Sequence, residues 1–167
     1  VSGIVGPALG GWLGEALGPW LGRRLPPRRG GGYFWLCGLT MLAAVPLLVA
    51  ALNVLAPLAI FPVLFLALTF ALVNTGPSNA IIVNVTRPEV RASGVAVNLF
   101  LIHALGDIPS ILLMGWAADL TGGLYWGLLL AVPAAALSGA FFCAGAPFLD
   151  ADEEAVRRRP PAPVPAG

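Results

Sequence analysis

From Tyr33 to Leu52 the chain reads YFWLCGLTMLAAVPLLVAAL, with no charge anywhere in it. The silence extends outward, because no Asp, Glu, Lys or Arg occurs between Gly32 and Thr86. Roughly 20 apolar residues cross a bilayer as a helix, so this run exceeds a single crossing. Over all 167 residues, 58% are hydrophobic and 10% charged, with a mean hydropathy of +0.88. Soluble domains carry roughly 25% charged residues. Too few charges exist here to cover a surface facing water, and lipid is the expected solvent.

Hydropathy and the breaks within it predict an all-α, polytopic transmembrane bundle over residues 1–148. Its five spans cover residues 1–21, 33–52, 58–85, 92–118 and 124–148. Residues 149–167 are acidic, then basic, then rich in Pro and Ala, and read as a disordered cytoplasmic tail.

All nine basic residues are Arg, and their placement carries more than the net charge of +1. Arg23, Arg24, Arg28 and Arg29 follow the first span, Arg87 and Arg91 follow the third, and Arg157, Arg158 and Arg159 lie in the tail. The loops after spans two and four have no basic residue. Arginine at every second loop is the positive-inside pattern, which predicts a multi-pass protein of the cell membrane with a cytoplasmic C-terminus. Val1 then lies outside. A first helix entering from outside, with no signal peptide ahead of it, predicts an odd number of further spans upstream and a chain that is the C-terminal piece of a larger protein.

Glycines at 6, 10, 14, 18 and 22 recur every fourth residue and share one helix face. Such a strip admits a neighbouring helix closely; it also suits helices that slide during a conformational cycle. Glu15 stands on the same helix, two turns before Arg23 and Arg24, and is a candidate acid for a charge latch with them.

The third span contains Asn74-Thr75-Gly76-Pro77-Ser78-Asn79. Gly76 and Pro77 interrupt the backbone ladder, and Asn74 and Asn79 carry polarity that inside a membrane faces a bundle interior or a cavity. A kink with satisfied polar groups and a substrate-facing hinge are equally consistent with this pattern. In the fourth span His103 and Asp107 stand four apart on one helix face. A charge at the bilayer centre costs roughly 2.5–3.5 kcal/mol even on lenient scales, so Asp107 needs a partner or a proton, and His103 is the nearest candidate. Gly106 and Pro109 predict a kink that frees the carbonyl of Leu105. Arg91 and Asn98, seven apart, continue a polar stripe. The His103–Asp107 pair reads either as a hydrogen bond locking helices together or as a proton or substrate site.

No cofactor or metal is expected. Cys37 and Cys143 have no metal-ligand spacing, and no Gly-rich phosphate loop occurs. Ser110, Asp107 and His103 along one helix cannot readily set triad geometry, so an enzyme is not expected, nor is nucleic acid a partner.

The stretch Arg91-Ala92, Asn98 through Ser110, and Gly115-Trp116-Ala117-Ala118-Asp119 resembles the eleventh helix of spinster-type transporters of the major facilitator superfamily. Gly76-Pro77-Ser78-Asn79 and Asn84-Val85 resemble the end of the tenth helix. Gly11, Glu15 and Gly18 resemble the superfamily's loop pattern in part, with Ala16 in place of its basic residue. The resemblance covers roughly forty-five residues and implies a partial facilitator fold, five of twelve helices, numbered eight to twelve. It implies alternating access between two six-helix halves, the other half being absent from this chain. Animal members of the family are associated with export of sphingosine-1-phosphate and lysophospholipids.

The expected function is therefore part of a secondary active or facilitative transporter exporting an amphipathic, lysolipid-like small molecule. Sugar, drug or organic-anion carriers of the same fold are the alternative within transport. A non-transporting scaffold or receptor subunit is the alternative outside it. The site residues expected are His103, Asp107, Asn98, Arg91, Asn74 and Asn79.

Overall fold

The computed structural model describes residues 1–26, 31–54 and 56–158. Every regular element among them is helical. In order they are α1 (Ser2–Arg24), α2 (Gly32–Asn53), α3 (Pro57–Val73), α4 (Thr75–Val85), α5 (Arg91–Leu101), α6 (Ile108–Thr121), α7 (Leu124–Leu129), α8 (Ala131–Gly145) and α9 (Leu149–Arg158). A 3₁₀ turn, Pro88–Val90, precedes α5, and a π-helical segment, Ile102–Asp107, joins α5 to α6.

Four helical stretches are long and apolar enough to cross a membrane: Gly32–Asn53, Leu58–Val85, Pro88–Thr121 and Leu124–Gly145. The first of the five expected spans forms α1, which at 23 residues has the length but not the apolarity of the others. Its glycines and its three charged residues dilute the hydropathy. The remaining boundaries agree with expectation to within about four residues.

Prolines and glycines set the shapes of these rods. Pro77 has no N–H for the carbonyl of Val73, and the helix breaks at Asn74 between α3 and α4. Pro133 likewise leaves the carbonyl of Leu129 without its donor, and the chain turns at Leu130 between α7 and α8. Buried hydroxyls bond back to their own helices, Thr40 to the carbonyl of Leu36 at 2.8 Å and Thr69 to that of Phe65 at 2.7 Å. That is how a polar group is satisfied where no water is available.

At the centre lies α2, packed on α1, α3, α4 and α8. The glycine strip of α1 is a packing seam: Gly6, Gly10, Gly14, Gly18 and Gly22 are all buried, while Trp12, Glu15 and Trp20 face outward. On the other side of α2, Gly38 and Gly139 bring α2 against α8, and a Cβ on either would come within about 3 Å of the other's carbonyl oxygen. The rod Pro88–Thr121 stands at the edge and has no buried residue. Its 34 residues extend for about 51 Å at 1.5 Å per residue, so it tilts within or protrudes from a roughly 30 Å hydrocarbon layer.

The expected disordered tail is corrected in part. Residues 149–158 form α9, while residues 159–167 lie outside the described region. Acidic residues early in α9 and arginines in its last turn complement the helix dipole, and Glu154 pairs with Arg158 four residues on. Leu149 is only 3% exposed and roots the helix in the bundle. Near that root lie Gly18 and Pro19 of α1 and Tyr33 of α2, and Glu153 reaches Asn84 of α4. The basic end of α1, the Arg87–Arg91 connection and α9 thus gather at one end of the bundle. Arg28, Arg29 and Arg159, which the expected orientation also used, lie outside the described residues.

Candidate functional site

Several polar residues of the third and fourth spans converge on one cavity. It has a volume of about 580 Å³ and lies between α2, α4, α5 with the π segment, and α8. Asn74, Ser78 and Asn79 contribute from one wall, and Asn98 and His103 from the other. Phe34 of α2 and Phe142 of α8 close the back, with ring centroids 6.1 Å apart and planes tilted by 50°. A volume of this size suits a small molecule or the head of an amphipathic one.

The first wall owes its shape to the break at Pro77. The N–H of Ser78 bonds the carbonyl of Asn74 at 2.9 Å, and the Cys37 thiol approaches the same carbonyl at 3.6 Å and the Ser78 hydroxyl at 3.7 Å. Breaking the ladder here turns the amides of residues 74 and 79 toward the cavity. Gly76 lies against α1, where a Cβ would meet the Gly11 nitrogen at 2.7 Å, and Pro77 is fully buried. Gly76 and Pro77 therefore form a tight contact with α1 as well as the break.

The second wall is shaped by Pro109. A proline cannot donate to the residue four back and its ring crowds that carbonyl. Instead of the expected kink, the helix widens into a π turn over residues 102–107, in which the N–H of Ile108 donates to the carbonyl of His103. Such wide turns occur often at functional positions in helices. Gly106 sits within the turn with open space around it.

His103 Nδ1 and Asp107 Oδ2 are 2.6 Å apart, with both side chains more than half exposed. With the carboxylate as acceptor, Nδ1 carries the hydrogen and Nε2 is left for whatever enters the cavity. Among the described residues nothing else bonds the imidazole. Asp107 does not line the cavity; it touches His103, which does. The Ser110 hydroxyl donates to the backbone carbonyl of Asp107 at 3.0 Å and not to the imidazole, so these three residues do not form a nucleophile–base relay.

Two other expectations resolve differently. Arg91 is not part of the cavity: its Nε donates to the carbonyls of Val83 and Thr86 at 3.1 and 3.3 Å, capping the end of α4. A cation there satisfies orphan carbonyls and the helix dipole together. Nor does Glu15 meet Arg23 or Arg24. Eight residues along a helix is about 12 Å, and both arginines have nearer partners, Arg23 the carbonyl of Pro19 at 3.2 Å and Arg24 the face of Trp20 at 5.5 Å. The sequence reading also missed Phe34 and Phe142. Nothing distinguishes them from other aromatics in apolar helices, and only the packing of α2 on α8 brings them together.

No protein-family model matches the chain. No curated protein matches it either.

Proposed function

We propose that this chain is part of an alternating-access membrane transporter of the spinster type, within the major facilitator superfamily, that moves an amphipathic, lysolipid-like small molecule. The observation that carries the reading is the cavity between the third and fourth spans. Its apolar and aromatic back suits a hydrocarbon chain, while three amides, two hydroxyls and an imidazole suit a polar head. Both walls are built from interrupted helices, and such interruptions in transporters mark binding regions. The three amides also suit a polyhydroxylated solute, which keeps a sugar carrier as the second reading.

The edge rod supports a larger assembly. A helix with no buried residue, bearing an exposed imidazole and carboxylate, is costly against lipid. Further helices, those of the other half in the facilitator reading, cover it. The arginine pattern supports a cytoplasmic α9 end in a cell-membrane protein.

Flux of a fluorescent lysophospholipid in proteoliposomes holding the complete protein tests the function. The proposal expects flux that unlabelled lysophospholipid competes away and a hexose does not. Competition by the hexose alone selects the sugar reading, and no flux of either overturns lipid and sugar transport together.

A further inference from the structure

The C-terminal helix is rooted at Leu149 and tied to α4 at Glu153. At the root, Leu149 is 3% exposed and Ala146 fully buried, and the carbonyl of Ala146 lies so close to Gly31 that a Cβ there would stand 2.4 Å from it. Gly31 has φ +61, so a side chain is excluded on conformational grounds as well. Midway along the helix the hold is different. Glu153 accepts one exposed hydrogen bond, 3.1 Å long, from the Asn84 amide. Its neighbour Glu154 is occupied by Arg158 within the same helix.

Asn84 lies on α4, five residues beyond Asn79 of the cavity wall, and Arg91 caps the same helix end. The root of α9 lies beside Gly18 and Pro19 of α1 and Tyr33 of α2. Glu153 faces the same pocket as Gly18, Pro19 and Tyr33 while accepting from Asn84, so α9 bridges α1 and α2 to the end of the helix that forms the cavity's first wall.

We propose that α9 is a releasable strap, hinged at Leu149 and caught on Asn84, that restrains α4 relative to α1 and α2 at this end of the bundle. A rooted helix cannot leave, and the exposed, charge-assisted bond from Asn84 to Glu153 ties its middle to α4; losing such a bond shifts a two-state balance by roughly tenfold. The strap therefore exchanges between seated and free positions, and any closure of the cavity that moves the end of α4 must first release it. The seating is independent of what the protein carries; the restraint on flux rests on the transporter reading.

The test is amide hydrogen exchange on the complete protein in lipid nanodiscs, with lysophospholipid flux measured in parallel. Asn84→Asp sets two carboxylates face to face and is expected to speed exchange of the last turns of α9 about tenfold, leaving α2 unchanged. Glu153→Gln keeps an acceptor and keeps the protection. The double variant Asn84→Asp with Glu153→Gln restores a donor and an acceptor, exchanged between the two positions, and is expected to restore the slow exchange. Equal protection in wild type and Asn84→Asp overturns the strap, as does failure of the double variant to restore it. For the restraint, Asn84→Asp is expected to alter the flux rate and the double variant to return it to the wild-type value. If exchange follows the pattern while flux stays constant, the strap is only a brace and the restraint is wrong. If no form carries lysophospholipid, the transport reading falls while the exchange pattern still decides the seating.

Discussion

Gly10 of α1 lies against the backbone carbonyl of Val73, so close that a Cβ on residue 10 would stand 1.9 Å from that oxygen. The contact explains two features together. Pro77 deprives the Val73 carbonyl of its helical donor, and the freed oxygen occupies the gap that a missing side chain leaves on α1. A Cα–H···O approach of this kind is a recurrent feature of close helix pairs. The seam between α1 and the first cavity wall is thus specified by a glycine on one helix and a proline on the other.

Replacing Gly10 should therefore be far more damaging than replacing its neighbour. Gly10→Val forces backbone apart from backbone, and overpacking of this sort typically costs about 1–3 kcal/mol or more. Gly11→Ala, with nothing within 4 Å of its added Cβ, should be neutral or slightly stabilising, since alanine favours a helix over glycine by roughly 1 kcal/mol. Thermal unfolding in detergent, followed by size-exclusion fluorescence, compares them. Equal midpoints for the two variants would remove the seam from the account.

The pair His103–Asp107 separates a structural role from a transport role. Asp107→Asn keeps an acceptor for the Nδ1 hydrogen but deletes the charge, whereas His103→Ala deletes the imidazole that lines the cavity. Both variants should insert and fold, because neither residue is buried. We expect at least tenfold lower flux for each in the complete protein. Wild-type flux in both would leave the pair a mere local hydrogen bond, with the cavity's polarity supplied by the amides alone.

Pro109 is expected to hold the wide turn in place. In Pro109→Ala a donor returns for the carbonyl of Leu105, and the segment 102–107 can close into ordinary α-helix. Such a change rotates His103 away from its present position relative to α6, since a π turn carries an additional residue in the helix. The variant should be more stable to heat than wild type, as an interior proline is removed, yet transport less. Higher stability with undiminished flux would show that the wide turn plays no part in function.

How much of this was legible beforehand depended on the kind of signal. Charge-free stretches such as 32–86 announce helices in lipid without ambiguity, and Asn74, Asn79, Asn98 and His103 stood out because polarity in such stretches is expensive. They meet at one cavity. Long-range geometry was not legible: Phe34 and Phe142 look like any apolar residue until α2 meets α8. Arg91 read as a site residue because the proximity of the α4 carbonyls is invisible in sequence. The sequence of α9 reads as a disordered tail because acidic then basic composition suits both disorder and a helix whose charges match its dipole. Pro109 predicts a kink, and the chain relieves the same clash by widening instead.

Sidedness gives the last prediction. Asn53 ends α2 away from α9, whereas Arg158 lies in the last turn of α9, at the end where Glu153 meets Asn84. Single cysteines at these two positions, in a background with Cys37 and Cys143 replaced by alanine, report on opposite faces of the membrane. In sealed cells a membrane-impermeant maleimide should label Asn53→Cys, and Arg158→Cys only after permeabilisation. The sign follows from the arginines, which the positive-inside rule assigns to the cytoplasm and which the fold gathers with α9. The reverse pattern would invert the topology while keeping the fold. Labelling of both positions from outside would mean that α2 does not cross, and with it the membrane-spanning bundle would be lost.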